Sequence, residues 1–150
     1  MATTTKIADF VEDLANGVHN LGSHSIRIAL SNTAPGSESS NPTASGNGRI
    51  ANVTQISYTN YSDSLASDRV LESVTAVESG GTLTFDAANF TITASGGTLA
   101  TFRYIYIWND TPTSPADPLI LLIDNGSGIS LTAGNSVNVN FHASGIITIT

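Results

Sequence analysis

From residue 25 onward, large apolar side chains recur at every second position in short runs, and clusters of glycine, asparagine and serine separate the runs. A period of two sends successive side chains to opposite faces of an extended backbone, so this pattern suits strands and not helices. The clearest run is residues 102–108, where Phe102, Tyr104, Tyr106 and Trp108 share one face and Arg103, Ile105 and Ile107 the other. Ile26, Ile28 and Leu30 alternate in the same way. Further strands are expected over residues 49–58, 69–78, 82–86 and 90–94, then at Ile129 and Leu131, at 137–141 and at 147–149. Residues 118–124 are apolar almost throughout, the signature of a strand buried on both faces. The pairs Gly80-Gly81 and Gly96-Gly97 mark tight connections, and residues 125–128, 133–135 and 144–145 read as turns. Eight or nine short strands spaced this way predict a mainly β fold, an antiparallel β-sandwich or a jelly-roll-like barrel.

The first 22 residues read differently. Ile7, Phe10, Val11, Leu14 and Val18 recur at three- and four-residue steps, with Asp9, Glu12 and Asp13 early in the segment where a helix dipole favours acids. Thr4 or Thr5 is positioned to cap such a helix and Gly17 or Gly22 to stop it. Residues 1–22 are therefore expected as an amphipathic helical arm packing through Phe10 and Leu14, and residues 23–150 as a single β-domain. Residues 31–48 hold almost no large apolar side chain and form a long loop, of a length that compact domains rarely keep without a contact to make.

Charge and composition narrow the function classes. With 12 acidic and only 5 basic residues the net charge is −7, which disfavours phosphate-rich partners and anionic lipid. Serine, threonine and asparagine number 19, 19 and 13, against 17 charged residues, so solvation rests on hydroxyls and amides. Threonine in place of lysine suits half-exposed strand faces. The absence of cysteine removes disulfides, thiolate metal sites and thiol nucleophiles. No basic region followed by an apolar run opens the chain, and its longest apolar stretch is far below the roughly 20 residues of a membrane helix. Synthesis in a cytoplasm with no membrane partner is the expectation.

Chemistry-bearing patterns are sparse. His19 and His24 are five apart, off the helical spacing of a paired metal site, and surface histidines are expected. No G-x-S-x-G elbow surrounds any serine, and the Gly46–Gly48 and Gly126–Gly128 pairs lack the third glycine and lysine of a phosphate loop. Asp110, Asp117 and Asp124 flank one pair of strands, where turn-capping outweighs an acid pair or a calcium site. Five Asn-x-Ser/Thr triplets begin at Asn52, Asn60, Asn89, Asn109 and Asn125, little above what the composition alone yields. No catalytic, cofactor or metal residue is assigned. The aromatic row Tyr104, Tyr106 and Trp108 is the best candidate for a binding feature, as a platform for sugar rings, although such a row more often faces a core.

Several stretches resemble a recurrent pattern in small virion proteins of tailed bacteriophages. They are Thr101-Phe-Arg-Tyr-Ile-Tyr-Ile-Trp-Asn-Asp110 with Thr111-Pro and Asp117-Pro-Leu-Ile120, and Asp124-x-Gly-Ser-x-Ile-x-Leu-x-x-Gly134 with Val137-x-Val-x-Phe141. Phe10-Val-x-Asp-Leu-Ala-Asn-Gly-Val-His-Asn-Leu21 and Ile28-Ala-Leu-Ser-Asn-Thr-Ala-Pro35 belong to the same likeness, which is weakest over residues 61–91. The resemblance implies a non-enzymatic structural component of the virion, foremost a capsid decoration (cement) protein that binds the major capsid protein as a homotrimer. It implies no cofactor and no nucleic acid partner. Candidate partner contacts are then Phe10 and Leu14 on the arm, Ser31, Pro35, Pro42 and Arg49 along the loop, and Tyr61. The final strand, 146–150, is expected as an edge able to extend a neighbour's sheet. The alternative is a tail- or fibre-associated module that binds a glycan receptor through Tyr104, Tyr106 and Trp108.

Overall fold

The computed structural model describes residues 2–150. The fold is mainly β, as expected, but its sheets do not close into a barrel. A four-stranded antiparallel sheet runs in the order β1 (Thr3–Lys6), β8 (Leu119–Ile129), β7 (Phe102–Asn109), β2 (Ile26–Ser31). Two three-stranded antiparallel sheets accompany it. One orders β10 (Ile147–Ile149), β5 (Thr82–Asp86) and β4 (Thr75–Ser79); the other orders β3 (Tyr61–Asp63), β6 (Phe90–Ala94) and β9 (Ser136–Val139). All three contribute to one core, with Phe85 and Ile147 from the second sheet and Phe90 and Ile92 from the third joining Ile28, Leu30, Ile105, Ile107 and Leu121 of the first.

The alternating runs behave as their patterns require. Tyr104, Ile105, Tyr106 and Ile107 are all buried, so the central strand β7 is covered on both faces, and Leu119 to Leu122 are covered likewise. The β4–β5 hairpin turns on Gly80 and Gly81, whose φ of +61° and +85° suit a two-residue turn that side chains other than glycine rarely allow.

Four expectations are corrected. Of the expected arm over residues 1–22, the described part is not a separate helix: Thr3–Lys6 pair with β8 as an edge strand, and the helix that follows, α1 (Phe10–Ala15), has only six residues. Ile7 and Phe10 sit fully inside the core, which ties this segment to the domain. Residues 49–58 make no strand, because Ile50–Asn52 coil into a short 3-10 turn and only isolated bridges form at Arg49 and Gln55. Of residues 69–78 only those from Thr75 onward are strand, as the start of β4; Arg69 and Ser73 take positive φ values of 55° and 50°. Residues 125–128 do not end a strand, since β8 continues through them to Ile129. The β7 partner shifts from Phe102–Ile129 to Tyr104–Asp124 there, so the extra residues bulge out around Gly126.

Candidate functional site

The two long edges of the main sheet differ. The β2 edge is closed by loop backbone: Ile28 N–H donates to the Arg69 carbonyl at 2.9 Å, Leu71 N–H to the Ile26 carbonyl at 2.8 Å, and Ile56 N–H to the Leu30 carbonyl at 2.9 Å. Leu30 N–H completes the seal by donating to the Tyr58 hydroxyl at 2.8 Å. Arg69 lies over the Tyr58 ring at 3.9 Å and pairs with Asp68, while the Tyr61 hydroxyl donates to Asp63. Burial, and then the Asp63 carboxylate, hold the Tyr61 hydroxyl far above its ordinary pKa.

The long loop is fastened at both edges of the sheet: its end lies on the β1 side of β8, where Leu119 N–H donates to the Gly48 carbonyl at 2.9 Å, and its middle lies beside β2. The buried Asp9 carboxylate accepts from Gly46 N–H at 2.7 Å and Gly48 N–H at 2.9 Å. Arg49 pairs with Asp13 at 3.0 Å and with Asp9 at 3.7 Å. Burial raises the Asp13 pKa more than Arg49 lowers it. Further along, buried Glu38 accepts from both the backbone N–H and the hydroxyl of Thr54. Ser31 donates to the Thr54 carbonyl at 2.7 Å.

These contacts decide where the expected partner residues stand. Phe10, Ser31 and Pro42 are buried within the chain, so none of them meets a partner in this conformation. Leu14, Pro35, Arg49 and Tyr61 are half-buried, and Arg49 and Tyr61 are engaged internally. Of the aromatic row, Tyr104 and Tyr106 are core residues; only Trp108 keeps part of its surface, with Arg27 stacked against it at 5.7 Å. A sugar platform built from all three would need Tyr104 and Tyr106 drawn out of the core.

The histidines correct another expectation. His19 is buried against Phe10, with ring centroids 5.2 Å apart. The Asn109 amide nitrogen lies 3.1 Å from His19 Nδ1 and 3.0 Å from His24 Nδ1, while its oxygen accepts from Thr111 N–H. One NH₂ group thus faces both imidazoles, and a bond donated to the neutral His19 ring places that ring's proton on Nε2. Burial first, and then His24 and Arg49, lower the His19 pKa to about 4. Spacing alone gave no sign of this cluster, because its third member is 85 residues or more away.

The three aspartates do not converge. Asp110 pairs with Arg27 at 3.1 Å and Asp124 binds Arg103 through two bonds of 2.7 and 2.9 Å, which lowers the Asp124 pKa. Asp117 is raised, chiefly by burial and then by Asp110. Among the described residues no group of three or more histidines or acids is placed to hold a metal ion. No described helix is long and apolar enough to cross a membrane.

The opposite flank is open. A cleft of about 660 Å³ lies between the main sheet and the C-terminal strands. Ile105, Leu121, Ile123, Ile129, Val139 and Phe141 give it an apolar floor, and polar residues such as Asn125, Asn140 and His142 line the rest. Its lining includes Thr4, Val137 and Thr148, from β1, β9 and β10. Each of these strands is the outermost member of its sheet, so three unpaired edges surround one apolar hollow. Sequence reading anticipated the edge at residues 146–150 but not the cleft, whose walls come from four separate segments. No family model, no curated protein and no solved structure matches this chain.

Proposed function

We propose that this chain is a non-enzymatic structural protein of a tailed-bacteriophage virion, a capsid decoration (cement) protein that binds the major capsid protein and assembles as a homotrimer. The reading starts from the resemblance of residues 101–141 and of the opening segment, and one structural observation supports it most. The open flank gathers three bare strand edges around an apolar cleft, a surface suited to main-chain pairing with another polypeptide. All four arginines are tied to carboxylates, which suits a contact made by shape and burial better than one made to phosphates. Such a protein works by covering a shell in many copies, where avidity adds to a modest single contact.

Quantitative mass spectrometry of purified particles tests the assignment. Copies in the hundreds are expected; absence from the particle overturns the virion reading, and a few to a few dozen copies transfer it to the tail. The glycan-binding alternative rests on Trp108 alone once Tyr104 and Tyr106 are buried, and a glycan array comparing the chain with Trp108→Ala decides it.

A further inference from the structure

The sheet β10–β5–β4 is open at both ends, and its two edges are complementary. In the register of this sheet Val77 and Thr148 both stand opposite Thr84, so these three residues share one face; Ala76, Phe85 and Ile147 share the other, which is turned to the core. Thr148 and the neighbouring Ile146 line the apolar cleft. Val77, on the far edge, is 58% exposed, the largest exposure of any large apolar side chain described. The molecule thus carries a protruding valine on one edge strand and an apolar hollow beside the opposite edge of the same sheet. A projecting apolar group that matches a hollow elsewhere on the same molecule produces head-to-tail association.

Charge supports a second copy as the occupant. Two chains of net charge −7 repel each other, so a self-contact must keep carboxylates away from its centre. Among the described residues no Asp, Glu, Lys or Arg lines the cleft; the face of β4 carrying Val77 presents only Thr75 and Ser79 beside it, and the nearest carboxylate on that face of the sheet, Asp86, stands opposite Thr75 at the far end of the hairpin. Glu78 points to the other face and accepts from Gly81 N–H at 2.7 Å, which holds it over its own hairpin turn.

We propose that β4 of one copy pairs alongside β10 of the next, continuing the sheet across the contact and seating Val77 in the cleft. A single five-residue edge buries well below the ~800 Å² per partner of a stable complex. Association in free solution is therefore weak, and tightens when copies close into a ring or line a common surface. The contact does not depend on the virion assignment, because the isolated chain displays it.

Sedimentation of the full chain at about 1 mM should give a mean mass clearly above the single-chain 15.5 kDa. Val77→Asp, with an unchanged circular dichroism spectrum, should return it to one chain. Because the chain has no cysteine, oxidative cross-linking locates the contact. A mixture of Val77→Cys and Thr148→Cys proteins should yield the 77–148 heterodimer several-fold in excess over either homodimer. Within one chain the two positions are separated by a whole strand, about 9.6 Å between Cα atoms, beyond disulfide reach. The doubly substituted chain therefore cross-links only between copies, and the mass of its closed product counts them. A wild-type chain that stays monomeric at this concentration, or homodimers that dominate the mixture, overturns the proposal and leaves the particle measurement to judge the virion assignment separately.

Discussion

The two flanks of the main sheet deal with the same physical problem in opposite ways. A strand edge exposes N–H and C=O groups that invite pairing. Along β2 those groups are taken up by the chain's own residues 55–56 and 69–71, and the neighbouring loop is fastened by buried carboxylates on backbone amides. Along β1, β9 and β10 they are left bare beside an apolar cleft. The difference lies in which segments cover an edge: residues 55–58 and 69–71 lie along β2, whereas the loop end at Gly48 bonds to Leu119 only beyond the end of β1 and leaves β1 itself exposed. The loop that composition alone marks as a contact loop is clamped within its own chain, and the open surface is built from regular strands.

The sharpest way to break this contrast is to cut the clamp. Asp9→Ala leaves the buried Gly48 N–H, the more exposed Gly46 N–H and Arg49 short of a partner, and should cost about 2–3 kcal/mol in urea unfolding. A loss below about 1 kcal/mol would mean that the loop is held by burial alone.

Acid offers an effect of similar size. The folded chain keeps His19 neutral with a pKa of about 4, against 6.5 when exposed, so the unfolded chain takes up the proton more readily between these values. The stabilisation is fully present above pH 6.5 and is lost as pH falls through about 4, a change on the order of 3 kcal/mol. His19→Gln should flatten the stability curve between pH 6.5 and 4.5 relative to the parent. An unflattened curve would assign the acid response to the carboxylates, and the imidazole proton resonances of His19 followed by NMR would then titrate near 6.5.

The legible part of this structure is the part governed by local rules. Strands β2, β5, β6 and β7 follow from alternation, and the β4–β5 hairpin from its glycine pair. The first strand escapes such reading because Thr3–Lys6 has no apolar residue and is exposed on both sides; β8 recruits it through main-chain bonds that no side-chain pattern encodes. Ile50, Val53 and Ile56 alternate imperfectly and are placed by burial under a coiled loop rather than by a strand period. The buried carboxylates were hidden for a similar reason: Asp9 meets Gly46 and Gly48 across 37 and 39 residues, and nothing in either segment names the other. The cleft, made from four chain segments, was equally out of reach, although the bare C-terminal edge was not.

Two smaller substitutions separate what the clamp needs from what it merely contains. A Cβ placed on Gly48 would come within 2.9 Å of Ile7 Cγ2 and 3.0 Å of an Asp9 carboxylate oxygen, so Gly48→Ala must push the loop off its anchor, at about 2 kcal/mol. Tyr106→Phe should do almost nothing. The Tyr106 hydroxyl is buried without a hydrogen-bond partner in the protein, and its pKa is driven up by burial first and by the Glu38 carboxylate second. Glu38 is already held by Thr54, so removing the hydroxyl breaks no protein bond and relieves an uncompensated polar burial. The melting temperature should stay level or rise slightly. A loss above about 1 kcal/mol would show that Tyr106 and Glu38 are coupled across the loop, and that the clamp reaches deeper into β7 than its visible bonds.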